Sequence, residues 1–338
     1  MPQRISQSTF VMQNPPTMAG YAAVVGKKEG EGPLAQYFDY VSEDTHFGQE
    51  SWEKAESQMQ KDAVTRALAK ANLAPSDIDL IFGGDLLNQC AGANYGLRDL
   101  EIPFFGLYGA CSTMAESLAL AALLVDAGTA INTVSVTSSH FCSSERQFRF
   151  PLEYGGTRTP TAQWTATGSG AVVLNEQNTP PFIRAVTVGK IVDMGVTDAN
   201  NMGAAMAPAA ADTIKRHLKD MKKSADDFDL ILTGDLGLVG SELLVELLLR
   251  DGIDISKKHS DCGILLYDIK KQDVHAGASG CGCSASVLCG YIADRIKDGS
   301  LKNVLFTATG ALMSPTVLLQ GESIPGIAHA VHISTERG

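Results

Sequence analysis

No apolar run in this chain of 338 residues approaches the ~18 needed to span a bilayer; the longest, Leu118–Val125, is far shorter. The opening stretch MPQRISQSTFVMQN has no hydrophobic core of the kind a secretory leader carries, so no export signal is expected. Basic residues are in short supply, 27 against 38 acids, for a net charge of −11. That excludes the basic footprint of a nucleic-acid binder, and it excludes attachment to anionic lipid by bulk charge. Paired cysteines are missing too. The seven cysteines are odd in number and scattered, which is no disulfide framework and fits a reducing compartment. Cys281-Gly282-Cys283 has no second ligand pair beside it, so zinc is not expected, and nothing else in the sequence implies a metal or a cofactor.

What is present is a globular composition, 44% hydrophobic and 19% charged, with 33 glycines falling between short β-like runs. The stretch Gly20–Gly26 reads as a strand, and polar Lys27–Gly48 as a long surface loop. Within Ser51–Asn72, the residues Trp52, Ala55, Met59, Ala63, Ala67 and Ala71 recur at helical spacing and form one face. Ile78–Phe82 and Pro103–Leu107 read as strands. The second turns through Tyr108-Gly109-Ala110 into a helix over Ser112–Asp126, closed by Gly128. That helix is apolar nearly all round, which predicts a place between layers rather than on a surface. Thr133–Ser138 follows as a strand, and such alternation predicts an α/β fold with largely parallel pairing.

The second half repeats the first. Asp77–Leu86 and Asp227–Leu236 align at an offset of 150, with seven of ten positions identical. Ser286–Lys297 reads as a second central helix and Val304–Thr307 as the strand after it. The expected architecture is two similar α/β halves related by a pseudo-twofold axis, 1–178 and 179–338, divided near the Asn-Thr-Pro-Pro stretch at Asn178.

Cys111 opens the first central helix, where helix N–H groups favour a thiolate and where Gly109 and Ser112 leave room for a ligand. As a free cysteine it reads either as a nucleophile or pocket floor, or as a small buried hydrophobe. Two apolar α/β halves, a cysteine at this turn, and Thr167-Gly-Ser-Gly-Ala-Val-Val-Leu174 closing the first half resemble the thiolase superfamily, most of all its ketoacyl-synthase III branch. The resemblance implies a five-layer αβαβα fold and a cysteine nucleophile assisted by a His and an Asn that bind the thioester oxyanion. Here the His position reads Gly234, in Thr233-Gly-Asp-Leu-Gly237. The Asn position reads Cys281, in Gly280-Cys-Gly-Cys-Ser-Ala-Ser286. Loss of one oxyanion donor costs ~10²–10³ in rate, so the resemblance implies a pocket that has lost its machinery.

Three further stretches, Phe104–Glu116, Glu145–Gly156 and Ile324–Ala330, resemble a sporulation branch of the superfamily. That likeness implies a non-enzymatic binder of dipicolinic acid or its calcium chelate, acting in uptake into the forespore and release in germination. Implied with it are other SpoVA proteins as partners, including integral membrane subunits at the spore inner membrane, and a homodimer. A flat aromatic dianion asks for backbone N–H groups, a cationic or hydroxyl donor and an apolar slot. The expected ligand-binding residues are Cys111, Ser112, His140, Gly234, Cys281, Gly282 and Gly310. Arg146 and Arg149 read either as carboxylate forks or as part of a dimer-contact loop over Ser143–Thr159, and the Met-rich 194–206 stretch reads either as a lid or as core filling. The competing reading is an acyltransferase or thioesterase that uses Cys111 with an unrecognised base such as His140.

Overall fold

The computed structural model of the chain describes residues 1–148 and 157–337. Ten strands carry the fold: β1 Thr17–Val25, β2 Leu80–Gly84, β3 Phe104–Leu107, β4 Thr133–Ser139, β5 Gly168–Asn175, β6 Phe182–Thr187, β7 Leu230–Thr233, β8 His259–Asp261, β9 Asn303–Ala311 and β10 Gly326–Ser334. The helices that matter here are α1 Trp52–Ala71, α2 Thr113–Asp126, α3 Phe141–Phe148, α4 Met202–Met221, α5 Gly237–Arg250 and α6 Cys281–Val287.

Strand order shows the duplication directly. One set runs β1-β5-β4-β2-β3 and the other β6-β10-β9-β7-β8. In both, the last three strands are parallel to one another while the second strand runs antiparallel to its neighbours on either side. The sets meet through one antiparallel pair, Phe182 opposite Thr17.

Strands buried on both faces read as continuous apolar runs, and here alternate residues feed different cores. Val172 and Leu174 of β5 join the middle core with Met114 and Leu118 of α2, Cys283 and Val287 of α6, and Phe306 and Val331 of the other strand set. Ala171 and Val173 point outward to Ala55, Met59, Ala63 and Ala67 of α1. On the far side Ile231, Leu305 and Ala330 meet Ile214 of α4 and Leu244 of α5. The result is the five-layer α/β architecture, with α2 and α6 between the two strand sets.

Local chemistry fixes the boundaries. Ser51 caps α1 by accepting from the Lys54 N–H at 3.4 Å, and Asn72 closes it in the left-handed region. Helix α1 lies so close on β1 that a Cβ at Gly20 would sit 2.3 Å from the Ala67 carbonyl oxygen. The second central helix begins five residues earlier than its sequence suggests, at Cys281 rather than Ser286, because Gly280 with φ 101° turns the chain directly into it. It continues past Val287 through a π turn at Leu288–Ile292 to Lys297. The Lys27–Gly48 segment carries a short helix, Lys27–Gly30, and the two-residue strand Tyr40–Val41 instead of being wholly irregular. Among the described residues no helix is long and apolar enough to cross a membrane.

Candidate functional site

A cavity of about 470 Å³ opens where the strand ends of the two halves meet. Its walls come from Leu86 and Asn88 after β2, from Tyr108, Ala110 and Cys111 after β3, and from Ser144, Glu145, Gln147 and Phe148 of α3. Thr165, Ser279, Met202 and the 311–316 segment after β9 complete it. The lining mixes hydroxyls and amides with apolar side chains. Glu145 is its only charged group among the described residues, and that carboxylate is buried, accepts from Thr165 Oγ1 at 2.9 Å and pairs with Arg158 at 3.7 Å.

Cys111 forms the floor. It stands in the 3-10 turn Ala110–Ser112 that leads into α2, with Ala110 held in the left-handed region at φ 51°. Such a conformation is uncommon for a residue with a Cβ and sharpens the turn. The neighbouring chain crowds it: a Cβ at Gly310 would lie 2.7 Å from the Gly109 carbonyl oxygen and 3.1 Å from the Ser112 nitrogen. Only glycine lets β9 pass this close to the turn.

The electrostatics reverse what a cysteine at a helix start suggests. Burial pushes the Cys111 thiol well above its ordinary value, and the nearby Asp235 carboxylate adds to the shift. The Gly280 N–H pulls the other way but does not win. Asp235 accepts from the Gly280 N–H and from Thr309 Oγ1, each at 2.9 Å. Full burial raises its own pKa to about 7. A thiol raised in this way is protonated at neutral pH, and a protonated thiol is a poor nucleophile.

Of the seven expected ligand residues, Cys111 lines the cavity and the other six do not. Ser112 is fully buried and donates to the Gly109 carbonyl at 2.7 Å. Gly310 packs on that same turn. Gly234 lies against Ala308 and Thr309 of β9, where a Cβ would meet backbone at 3.0 Å. Cys281 touches Cys111 from behind the floor, and its thiol donates to the Ser138 carbonyl at 2.9 Å. The Gly282 N–H donates to Ser139 Oγ at 3.1 Å. His140 points away, its Nε2 at 2.8 Å from the Thr45 carbonyl and its Nδ1 accepting from the Cys142 N–H; burial lowers its pKa and keeps it neutral. Arg146 is tied to Glu53 and stacks over Trp52, outside the cavity. Arg149 and the 149–156 part of the proposed dimer loop lie outside the described residues. The Met-rich stretch divides: Met194 is exposed, Met202 lines the cavity and Met206 is core.

Two site residues escape a reading of the sequence. Asp235 carries a signal there, since it is one of three acids shared by both copies of the internal repeat, but a repeat points to fold and not to chemistry. Glu145 carries one in the Glu145–Gly156 resemblance, which says nothing about which way a helix faces. Among the described residues no group of three or more His, Cys, Asp or Glu side chains is placed to hold a metal ion.

This architecture is that of the thiolase-like condensing enzymes. OleA of Xanthomonas campestris matches with a TM-score of 0.62 at 14% identity, over 96% of this chain and 99% of that one. The 3-oxoacyl-(acyl carrier protein) synthase III of Aquifex aeolicus VF5 matches at 0.57 and 14%, over 94% and 99%. At those identities the likeness shows the fold alone. Sequence goes further: the model of the stage V sporulation protein AD family matches residues 6–334. The stage V sporulation protein AD of Bacillus subtilis (strain 168) is 50% identical over 325 residues, 96% of each chain. The chain belongs to the stage V sporulation protein AD family.

Proposed function

We propose that this chain binds dipicolinic acid, free or as its calcium chelate, in the Cys111 cavity without turning it over. In that reading it serves dipicolinate uptake into the forespore and release at germination, together with the other SpoVA proteins. The observation that carries the non-enzymatic part is the burial of the Cys111 thiol, with the Asp235 carboxylate nearby raising it further. A condensing enzyme needs a thiolate and donors for the oxyanion, whereas here the thiol stays protonated and the positions of the assisting His and Asn are Gly234 and Cys281. The cavity supports a small planar diacid through Tyr108, Ser144, Thr165, Asn88 and Gln147, with Phe148, Leu86 and Met313 for its ring. Glu145 favours a ligand whose charge is already met by a cation, and Arg158 beside it offsets that repulsion for a free dianion.

Association with the inner membrane would run through integral partners. The homodimer we propose uses β3, the last strand of its set, which among the described residues pairs along one edge only and leaves Phe105 53% exposed. Sedimentation at 35.8 kDa alone would remove the dimer.

The enzyme reading keeps one supporting observation: the strained turn at Ala110 presents Cys111 to the cavity as a nucleophile would be presented. Calorimetry with free and calcium-bound dipicolinate, on the chain and on Cys111→Trp, separates the two. Binding lost in a folded Cys111→Trp supports the reading, and unchanged affinity removes the cavity assignment. A stable acyl adduct on Cys111 after incubation with an acyl-CoA, read by intact mass, would favour the enzyme.

A further inference from the structure

Behind the α3 wall lies a second acidic centre that plays no part in the floor. Glu56 of α1 and Asp85 after β2 are both fully buried. A Cβ on Gly92 would lie 3.1 Å from Asp85 Oδ2 and 3.2 Å from Glu56 Cγ, so the Asp85 carboxyl and the Glu56 side chain are near neighbours. Around them stand Ser138 and Ser143, Gln60, and the N–H groups of Leu87 and Ala93. The titratable groups facing them are Glu53 and Arg146, which pair with each other, the thiols of Cys90 and Cys281, and the phenol of Tyr108. His140 nearby is engaged with Thr45.

The hydrogen bonds around Glu56 accommodate its neutral form. Ser143 Oγ lies 2.7 Å from Glu56 Oε2 and 3.1 Å from the His140 carbonyl oxygen, and it has one proton. With Glu56 protonated, its O–H donates to Ser143 Oγ and Ser143 donates to His140. On the other oxygen, Ser138 Oγ donates at 3.0 Å while accepting from Gln60 Nε2 at 3.0 Å. With Glu56 ionised, Ser143 gives its proton to Oε2 and the His140 carbonyl keeps only the Ser144 N–H at 3.0 Å, while two neighbouring negative charges lie in the interior with no cation paired to either among the described residues. Burial and the neighbouring charge favour the neutral form.

Both acids also hold cavity wall. Ser143 belongs to α3, which presents Ser144, Glu145, Gln147 and Phe148. Asp85 accepts from the Leu87 and Ala93 N–H groups at 2.8 Å each, fixing the segment that carries Leu86 and Asn88. Gln147 ties the two parts together, accepting from the Asn88 N–H at 3.0 Å and donating to the Leu86 carbonyl at 2.9 Å. We infer that the Glu56–Asp85 pair is a proton-operated latch on the cavity: with Glu56 protonated the wall is held in its ligand-binding form, and with both acids ionised α3 is released.

The inference rests on the binding reading of the cavity, so its test has one arm with ligand and one without. Dipicolinate, a dianion throughout, is titrated by calorimetry from pH 5.5 to pH 9 into the chain and into Glu56→Gln. Beyond the transition the wild-type affinity falls about tenfold per pH unit more steeply than that of Glu56→Gln, the slope of a single proton, and whatever slope Asp235 contributes from below the floor is common to both. Without ligand, amide exchange corrected for intrinsic rates rises at pH 9 over Phe141–Phe148 in the wild type and not in Glu56→Gln. Should Glu56→Gln fail to fold, Ser143→Ala takes its place, with weak and pH-independent binding expected. Parallel pH profiles in wild type and variant, or exchange that ignores pH, overturn the latch. Absence of dipicolinate binding at every pH, with the exchange arm as expected, sinks the ligand assignment and leaves the latch standing.

Discussion

Asp79 and Asp229, the third residue in each copy of the internal repeat, do identical work. Asp79 accepts from the N–H groups of Ile131 and Asn132 at 2.7 and 3.0 Å; Asp229 accepts from those of Lys302 and Asn303 at 2.7 and 3.0 Å. Six residues further on the copies part. Asp85 turns outward and meets Glu56 behind α3, whereas Asp235 turns inward and meets Cys111. Duplication has kept the acids that fix the fold in the same job and has drawn the acids at the strand ends into two different circuits. The cavity sits between those circuits, with Asp235 under its floor and Asp85 behind its wall.

The sharpest way to break this contrast is to remove Asp235. Asp235→Ala leaves the Gly280 N–H and the Thr309 hydroxyl without their acceptor in the core beneath the cavity floor. Unpaired buried donors cost about 1–3 kcal/mol each, so urea denaturation should show a loss of about 3 kcal/mol. The gentler Asp235→Asn removes the charge and keeps the volume. With that charge gone the thiol loses a group that holds it protonated, and iodoacetamide should alkylate Cys111 at least ~10-fold faster at pH 8. An unchanged rate would mean that burial alone silences the cysteine.

Much of this is legible in the sequence, and the divide between what is and is not has a physical basis. Periodicity reports which face of an element is apolar, so the helix with Ala55, Met59, Ala63 and Ala67 on one face and the all-round apolar α2 are assigned to their layers by residue spacing alone. The repeat reports duplication, and with it two matching strand sets. Neither reports the direction of a polar side chain at a turn. His140 is an attractive donor because it follows β4, yet the carbonyl of Thr45, 95 residues away in sequence, captures its ring. Gly234, Gly282 and Gly310 stand out by motif position, and the structure gives them a packing role: they bring backbones together under the floor, where a Cβ would collide. Glu145 and Asp235 escape notice because a buried acid looks the same in sequence as a solvated one.

A second test sets the buried histidines against the buried acids by pH. Burial takes His217 of the second half down to about 3 and His332 well below its ordinary value. In the unfolded chain both take a proton near ~6.5, so below that pH the unfolded state binds more protons. Each histidine therefore removes about 1.4 kcal/mol of stability per pH unit on the way down. Asp235 at about 7, and Glu56, raised by burial and by Asp85, act oppositely. They hold protons in the folded state that the unfolded chain gives up near ~4, so their contribution is lost as pH rises. The two slopes offset one another between about pH 4.5 and 6.5, and above that range the carboxyl loss stands alone. Glu56→Gln should flatten the alkaline decline by about 1.4 kcal/mol per pH unit in urea titrations. A variant curve parallel to wild type would show that Glu56 is ionised in the folded chain.

The symmetric acids give a smaller effect that must come in equal halves. Asp79→Ala and Asp229→Ala each free two backbone N–H groups at a partly exposed turn, for about 1–2 kcal/mol apiece. The sites lie in separate strand sets and share no partner, so the double variant should cost the sum within about 0.5 kcal/mol. A cost confined to one of them would mean that the duplication no longer governs stability.

The weakest expected effect belongs to a residue that the sequence makes look important. Arg146 sits on α3, the cavity wall, and a guanidinium there suggests a fork for a carboxylate ligand. Its partner is instead Glu53, with side-chain exposures of 43% and 38%, and its plane rests over Trp52. An ion pair so open to water contributes at most about 1 kcal/mol, and ordinary salt screens it further. Arg146→Ala should therefore leave stability within about 1 kcal/mol and dipicolinate affinity within about threefold, while Cys111→Trp at the floor abolishes binding. If Arg146→Ala instead cost about tenfold or more in affinity with stability intact, the ligand would have to reach past the wall to the outer face of α3, and the circuit behind that wall would become part of the binding site itself.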